Sequence, residues 1–400
     1  MVYNLPIKER GGVMKRRFLC LIAILLSLLS LGGCVRFTGG SIGCWATPIS
    51  TPITEYYEDS YTARNPWNIK LHNGILYFAT GDYGANSGRT PIFAYDTVSG
   101  SWLDPFVTYD EALEVIREVG GDLIAVGNDS TEPGKDGNYY ELKDGEWVAY
   151  TDVPDAVHVF DVAEYNGSRF FAIGTDDVEH FPVVLQTEDG GFSQVRFLKN
   201  GENRLSEEDF EFARVYNLFI AGGELYAFFF APHLDTAKPH TYEFYKYDGE
   251  AFCFVSSFDD LPIKFLSIND GEKNRLLRQN FLTYEFSRGD HAYFASGILY
   301  KTSDFINVEK IELPESVAVS DLLCFENRYY VLSFSRNADG GFTNTVWELS
   351  GEDVFTKIVS FKTDNAYALS FEYDGDKFYI ALGNRASTDN VGSLCIVDAG

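Results

Sequence analysis

The sequence predicts an all-β fold, a seven-bladed β-propeller of four-stranded antiparallel blades, on three observations. The first is composition. Aromatic residues make up 16% of the 400 positions, with 33 Phe, 25 Tyr and 36 Gly against only 2 Met. Many rings and many glycines suit short strands joined by tight turns, and not helices. The second is a repeat. Turn pairs recur at Asn73-Gly74, Gly120-Gly121, Asn166-Gly167, Gly222-Gly223, Arg288-Gly289, Glu326-Asn327 and Asp374-Gly375. Their spacing of about 50 residues is that of a four-stranded propeller blade. The third is the strand after each turn, which is apolar on both faces, as a strand between two neighbouring blades has to be.

Each element follows from the same phrase. Asn-Gly and Asp-Gly accept the positive φ angles of tight hairpins, so the turn pairs join each blade's first and second strands. The second strands are Ile75–Ala79, Leu123–Gly127, Phe170–Gly174, Leu225–Phe229, Ala292–Ser296, Tyr329–Ser333 and Phe378–Gly383. Hairpins between third and fourth strands are legible at Ala94–Trp102, Glu141–Trp147 and Lys246–Phe252, each with an aromatic opening its last strand. The last blade supplies only three strands before the chain stops at Gly400. The part-apolar segment Ile49–Tyr57 is therefore expected to close the ring as its missing strand. That arrangement brings Cys44 towards Cys395 and leaves a disulfide between them open. Cys253 and Cys324 read as buried free thiols, since no pair shows metal-ligand spacing.

The segment Met14–Cys34 has a cationic start, an apolar run and small residues before a cysteine, the layout of a secretory signal. Its end, Leu31-Gly32-Gly33-Cys34, resembles the lipobox of bacterial lipoproteins. The resemblance implies export, a signal peptide over residues 1–33 with its start at Met14, and a lipid on Cys34. Residues 34–48 then form a tether and 49–400 the propeller, on the outer face of a bacterial envelope membrane. The chain carries a formal charge of −27, and residues 1–33 hold mostly cations, so the mature part is more acidic still. Such a charge excludes nucleic acid as a partner and favours a monomer held to the membrane by its lipid alone.

Asn73–Gly81, Tyr95-Asp96 and Trp102 follow the kelch order of hairpin, glycine, tyrosine and tryptophan. The chain thus resembles kelch-type propellers. Elsewhere the kelch double glycine is reduced to Gly127, Gly174 or Gly383, and Trp becomes Phe192, Phe252 or Phe355. The resemblance implies a fold and no particular activity.

Long loops fall on one end of such a propeller: 81–90, 128–138, 174–181, 231–240, 335–344 and 383–392, with insertions at 199–210 and 259–280. The other end is trimmed to tight turns, so binding is expected at the long-loop end, around the channel mouth. The arginines mapped there are Arg64, Arg89, Arg214, Arg275, Arg278, Arg336 and Arg385. Guanidinium groups hold carboxylates and sulfates through paired hydrogen bonds, although arginines also pair with acidic loop residues. Arg64, Arg89, His158, Arg214, Arg278, Arg336 and Arg385 are the expected ligand-binding set, with the arginines read as exposed charges. His180, His233, Asp235 and His240 lack a fixed spacing, so no metal and no cofactor is expected. No nucleophile elbow, phosphate loop or zinc-protease motif occurs. A binding module for a glycan, an anionic small molecule or an envelope protein is therefore favoured over an enzyme. The alternative is a polysaccharide lyase or hydrolase with a His/Arg/carboxylate site at the mouth.

Overall fold

The computed structural model describes residues 44–45 and 48–399, except 46–47, 59, 61, 83, 85–86, 176–182, 189–190, 204–213, 232–240, 259–282, 296, 316, 352 and 385–388. Cys34, Arg275, Arg278, Arg385 and the His180, His233, Asp235, His240 group lie outside the described residues. What is described is all-β apart from one helical turn, Pro52–Tyr56. Strands succeed one another as antiparallel meanders over 68–102, 110–151, 156–199, 214–258, 283–311, 318–363 and 367–398. The last of these is a three-stranded sheet. The meanders over 110–258 join, through a bridge between His158 and Asn128 and a parallel pairing of Arg196–Leu198 with Ala251–Cys253, into one 13-stranded sheet. Among the described residues no sheet closes on itself.

The first strands of the meanders pack side by side in chain order. They are Asn68–His72, Asp110–Val119, Ala156–Tyr165, Arg214–Ala221, Thr283–Arg288, Ala318–Phe325 and Tyr367–Tyr373, and the last also packs against the first. The cores lie between meanders. Ala125 and Leu123 face Tyr77 and Ile92 of the preceding meander, whereas Ile124 and Val126 face Phe171 and Ile173 of the following one. A period-2 strand that is apolar throughout needs two such partners.

The hairpins behave as their turn residues require. Asn73-Gly74, Gly120-Gly121, Asn166-Gly167, Gly222-Gly223 and Glu326-Asn327 all take positive φ at both positions. Six of the first strands then share a feature absent from the sequence reading. Their register slips by one residue between Leu113 and Val115, Val159 and Asp161, Val215 and Asn217, Tyr284 and Phe286, Val319 and Asp321, and Ala368 and Ser370. Each slip is a β-bulge, which turns the next side chain out of the pleat. Residues released in this way, and Asn68 in the one first strand without a slip, reach the neighbouring meander. Asp161 accepts the Leu218 amide at 2.8 Å and Asp321 accepts the Phe371 amide at 3.0 Å. Asn68 accepts the Ile116 amide at 3.0 Å, and the Ser370 hydroxyl donates to the Pro66 carbonyl at 3.2 Å. Three of these latches satisfy amides directly after a bulge, those of Leu218, Phe371 and Ile116, and the fourth ends on a carbonyl.

The N-terminal segment corrects one expectation. Ile49 alone forms an antiparallel bridge, with Leu394, and residues 52–56 are helical. Pro52 starts that turn, where its fixed φ and missing N–H suit a helix's first position. The segment is instead pinned by side chains: Thr51 donates to the Gly392 carbonyl, and Asn65 exchanges hydrogen bonds with the backbone of Asn384. Cys44–Trp45 pairs with Phe361–Lys362, in parallel, on the outer edge of the 318–363 meander and not beside Cys395. Cys395 is a buried free thiol, its pKa pushed up to about 12 by desolvation, so the disulfide left open is not formed. Cys253 and Cys324 are free thiols as expected, but Cys324 is exposed and Cys253 half-buried.

Candidate functional site

First strands begin, and second strands finish, at the same end of each meander, the end that carries the long loops. Strand polarity therefore assigns Arg64, Arg89, His158, Arg214 and Arg336 to that end. The structure treats them differently. Arg64 donates to the carbonyls of Tyr57 and Glu58, both at 2.8 Å, and so ties the helical turn to the strand that follows. Arg89 donates to the Thr108 carbonyl at 2.6 Å and pairs with Glu132 at 2.9 Å, with its guanidinium over Tyr109. Both are structural clamps. Arg336 ends its strand with an exposed side chain.

His158 and Arg214 are brought together. They lie near the starts of adjacent first strands, and both contact the ring of Phe160. Phe160 stacks on His158 at 5.2 Å between centroids, and the Arg214 guanidinium carbon is 5.8 Å from its centroid. Tyr216 packs edge-on to Phe160 at 4.8 Å. A guanidinium over a ring keeps its charge while losing water, since the ring's quadrupole offsets part of the desolvation. Arg214 is 7% exposed, which corrects the reading of it as an exposed charge.

Two backbone features make this cluster. Asp129 adopts a left-handed conformation, φ 55°, which brings its carboxylate 3.2 Å from His158 Nδ1. Asp tolerates that region better than most residues, and such strain concentrates at working sites. Gly174 supplies the space. A Cβ there would lie 3.0 Å from both His158 Cδ2 and Phe160 Cε2. Beside His158 in the bridge, Asn128 is fully buried, and neither atom of its amide meets a partner among the described residues.

Sequence reasoning missed a second polar cluster at the same end. Asp110 is almost completely buried, accepts from Asn138 Nδ2 at 2.9 Å and from the Tyr140 hydroxyl, and fills the space over Gly127. Desolvation pushes its pKa up to about 7, against the hydrogen bonds from Tyr140 and Asn138, with Asp129 and Asp136 adding repulsion. The glycines read as remnants of a kelch motif thus have a physical role: Gly127 and Gly174 each leave room for a side chain from a first strand.

A groove of about 260 Å³ also opens at this end, where Ile298, Ile311, Leu313, Pro314 and Val319 meet the charged Lys310 and Glu315. None of the expected ligand-binding residues lines it. Among the described residues no cluster of His, Cys, Asp and Glu could hold a metal ion, and no helix is long and apolar enough to cross a membrane.

No protein-family model matches the chain, and no curated protein matches it. Solved structures do. A chain of the mitotic checkpoint complex aligns with TM-score 0.50 and 10% identity over 92% of this chain and 100% of its own. A polysaccharide lyase of the PL25 ulvan lyase family aligns with TM-score 0.51 and 11% identity over 83% and 91%. The β-propeller domain of Myceliophteria thermophila Cps50 (Swd1) aligns with TM-score 0.50 and 8% identity over 88% and 99%. At these identities the likeness shows the fold alone. The chain is a β-propeller.

Proposed function

We propose that the chain is an exported, lipid-anchored binding module. In this reading it is a seven-bladed propeller whose long-loop end holds an anionic glycan, an anionic small molecule or an envelope protein. The observation that carries the binding reading is the convergence of His158 and Arg214 on Phe160, where a buried cation and a titratable imidazole share one mouth. A guanidinium kept dry binds a carboxylate or sulfate more strongly than one in water. Closure of the ring between the 367–398 and 68–102 meanders is supported by the Ser370–Pro66 and Asn65–Asn384 hydrogen bonds and by a Lys70–Glu372 ion pair at 3.1 Å. The anchor rests on the Leu31–Cys34 tetrad.

An array of uronate-bearing and sulfated glycans, read with the full chain, tests the binding reading. Arg214→Lys, which keeps the charge and much of the packing, should weaken any captured glycan about tenfold, as loss of a bidentate charge-assisted pair does. Undiminished binding by Arg214→Lys and His158→Ala would refute it. Loss of fatty-acid labelling in Cys34→Ser tests the anchor. A polysaccharide-active enzyme remains the second reading, favoured by the imidazole of His158 meeting both the Asp129 carboxylate and the Phe160 ring that Arg214 also approaches. Release of unsaturated or reducing ends from a captured glycan, lost in His158→Ala, would select it.

A further inference from the structure

We infer that the outer edge of the 367–398 sheet is an interaction surface that takes one extended segment of a partner protein as its fourth strand, a cation followed by apolar residues. The surface involves neither His158 nor Arg214 and goes beyond the binding reading above.

The sheet stops at three strands, with Leu394–Asp398 outermost. The segment expected to complete it meets that strand at one point, Leu394, where Ile49 exchanges backbone hydrogen bonds at 2.8 and 3.2 Å. Before that point the described chain sits on the neighbouring sheet, where Trp45 pairs with Lys362. Antiparallel hydrogen bonding alternates along a strand. Leu394 bonds outward to Ile49, and Ser393 accepts inward from Leu382. Cys395 and Val397 therefore turn their N–H and C=O inward, to Ile380 and Phe378, and Ile396 and Asp398 turn theirs outward. Among the described residues those outward groups meet no partner.

The open position is flanked by apolar side chains on both faces. Ile358 and Val359 of the 318–363 sheet are half-buried against the core that holds Cys395 and Val397. Leu71, Trp102 and Ile396 itself are half-buried against the core shared with the 68–102 sheet. In an added strand, residues opposite Cys395 and Val397 lie on the side of Ile358 and Val359. The residue opposite Ile396 lies on the side of Trp102. Three successive apolar residues fit there, as in the second strand of each meander. Edges meant for solvent are commonly guarded by Lys, Pro or a bulge. Leu394-Cys395-Ile396-Val397 carries none of these.

Charge selects the occupant. Asp398 ends the strand, and the adjoining turn exposes Asp374 and Asp376. The Asp374 carboxylate is fixed there by the amides of Asp376 and Lys377 at 2.9 and 2.7 Å. Three carboxylates thus stand against the Lys377 ammonium, and a cation opposite Asp398 offsets the excess. A second copy of a chain with formal charge −27 is repelled from such an edge. A basic and apolar strand of another protein is not, and its backbone satisfies Ile396 and Asp398 by strand addition.

The test adds a synthetic peptide, Thr-Lys-Val-Ile-Val capped at both ends, to the full chain at millimolar concentration, with hydrogen exchange read at single residues. Antiparallel addition sets the peptide's Lys opposite Asp398. Exchange at the Ile396 and Asp398 amides should slow severalfold, while Cys395 and Val397, already bonded inward, stay as they were. Asp398→Lys should weaken this peptide about threefold and favour one with Glu in place of Lys by a similar factor, as for a half-exposed ion pair. No change at the Ile396 amide, or protection at the long-loop end instead, overturns the inference. So does exchange at Ile396 as slow as at Cys395 in the chain alone. Found at every concentration, that result assigns the edge to the chain's own residues; found only as concentration rises, it assigns the edge to a second copy.

Discussion

Replacing Asp161 by Asn should be among the most destabilising isosteric changes available in this propeller. The carboxylate is fully buried and bears four donors. Arg117 Nε and Nη2 lie at 2.6 and 2.9 Å, and the amides of Val162 and Leu218 lie at 2.9 and 2.8 Å. Asn keeps the size and one acceptor oxygen. Its NH2 group, however, takes the place of Oδ2 and faces the donors of Leu218 and Arg117. The Arg117 guanidinium, whose side chain is only 19% exposed, loses its counter-charge. Breaking a buried pair by removing one partner costs about 3–5 kcal/mol. Urea denaturation should show the unfolding free energy lowered by that amount, and the midpoint with it, at an unchanged m-value. A double-mutant cycle with Arg117→Ala should give a coupling of about 1.5–3 kcal/mol, the range for hydrogen bonds to charged groups. A loss below about 1 kcal/mol, or no coupling, would refute the view that bulge latches hold neighbouring meanders together.

Asp110 makes stability depend on pH. Its folded pKa, about 7, lies above the ordinary 3.8, so its stabilising protonation is complete below pH 3.8 and is lost as pH rises towards 7. Melting curves should show Asp110→Asn gaining on the unsubstituted chain across that window, by up to about 4 kcal/mol, and no further gain above it. Gly174→Ala should cost about 1–3 kcal/mol by pressing a methyl group against His158 and Phe160, and should weaken any ligand held by Arg214, as titration calorimetry would show. With a thiol reagent, Cys324 should react in the native state and Cys395 only after unfolding, which mass-labelling time courses can resolve.

Much of the fold was legible because its determinants are local. Asn73-Gly74 and Gly222-Gly223 fix φ by themselves, and strands such as Phe170–Gly174 announce two buried faces by composition. The bulges were not legible. A slip at Phe160 depends on which residue of the partner strand lies opposite, and nothing in Val159–Asp161 declares that register. Ile49–Tyr57 misled for a related reason: its apolar residues fit a missing strand, but Pro52 and the side-chain anchors at Thr51 and Asn65 favour a helical turn. At the candidate site, position along the chain placed His158 and Arg214 at the long-loop end, where strand polarity also puts them. It could not separate them from Arg64 and Arg89, because carbonyl partners such as those of Tyr57 and Thr108 carry no signature in sequence. Asp110 escaped notice because one acid among 59 Asp and Glu residues stands out only through its burial.

The parallel pairing of Arg196–Leu198 with Ala251–Cys253 divides the molecule unevenly. It joins the 156–199 and 214–258 meanders through a run of backbone pairs, whereas the other meanders, among the described residues, meet through side chains and single bridges such as His158–Asn128. Opening either of these two meanders exposes ladder groups of the other, so residues 156–258 are expected to unfold as one cooperative block. The rest of the ring can part at its seams one meander at a time. Under mechanical pull or transient heating, the weak points are therefore the single-bridge seams at 81–112, 128–158 and 297–319, while His158 and Arg214 remain within the block that yields last.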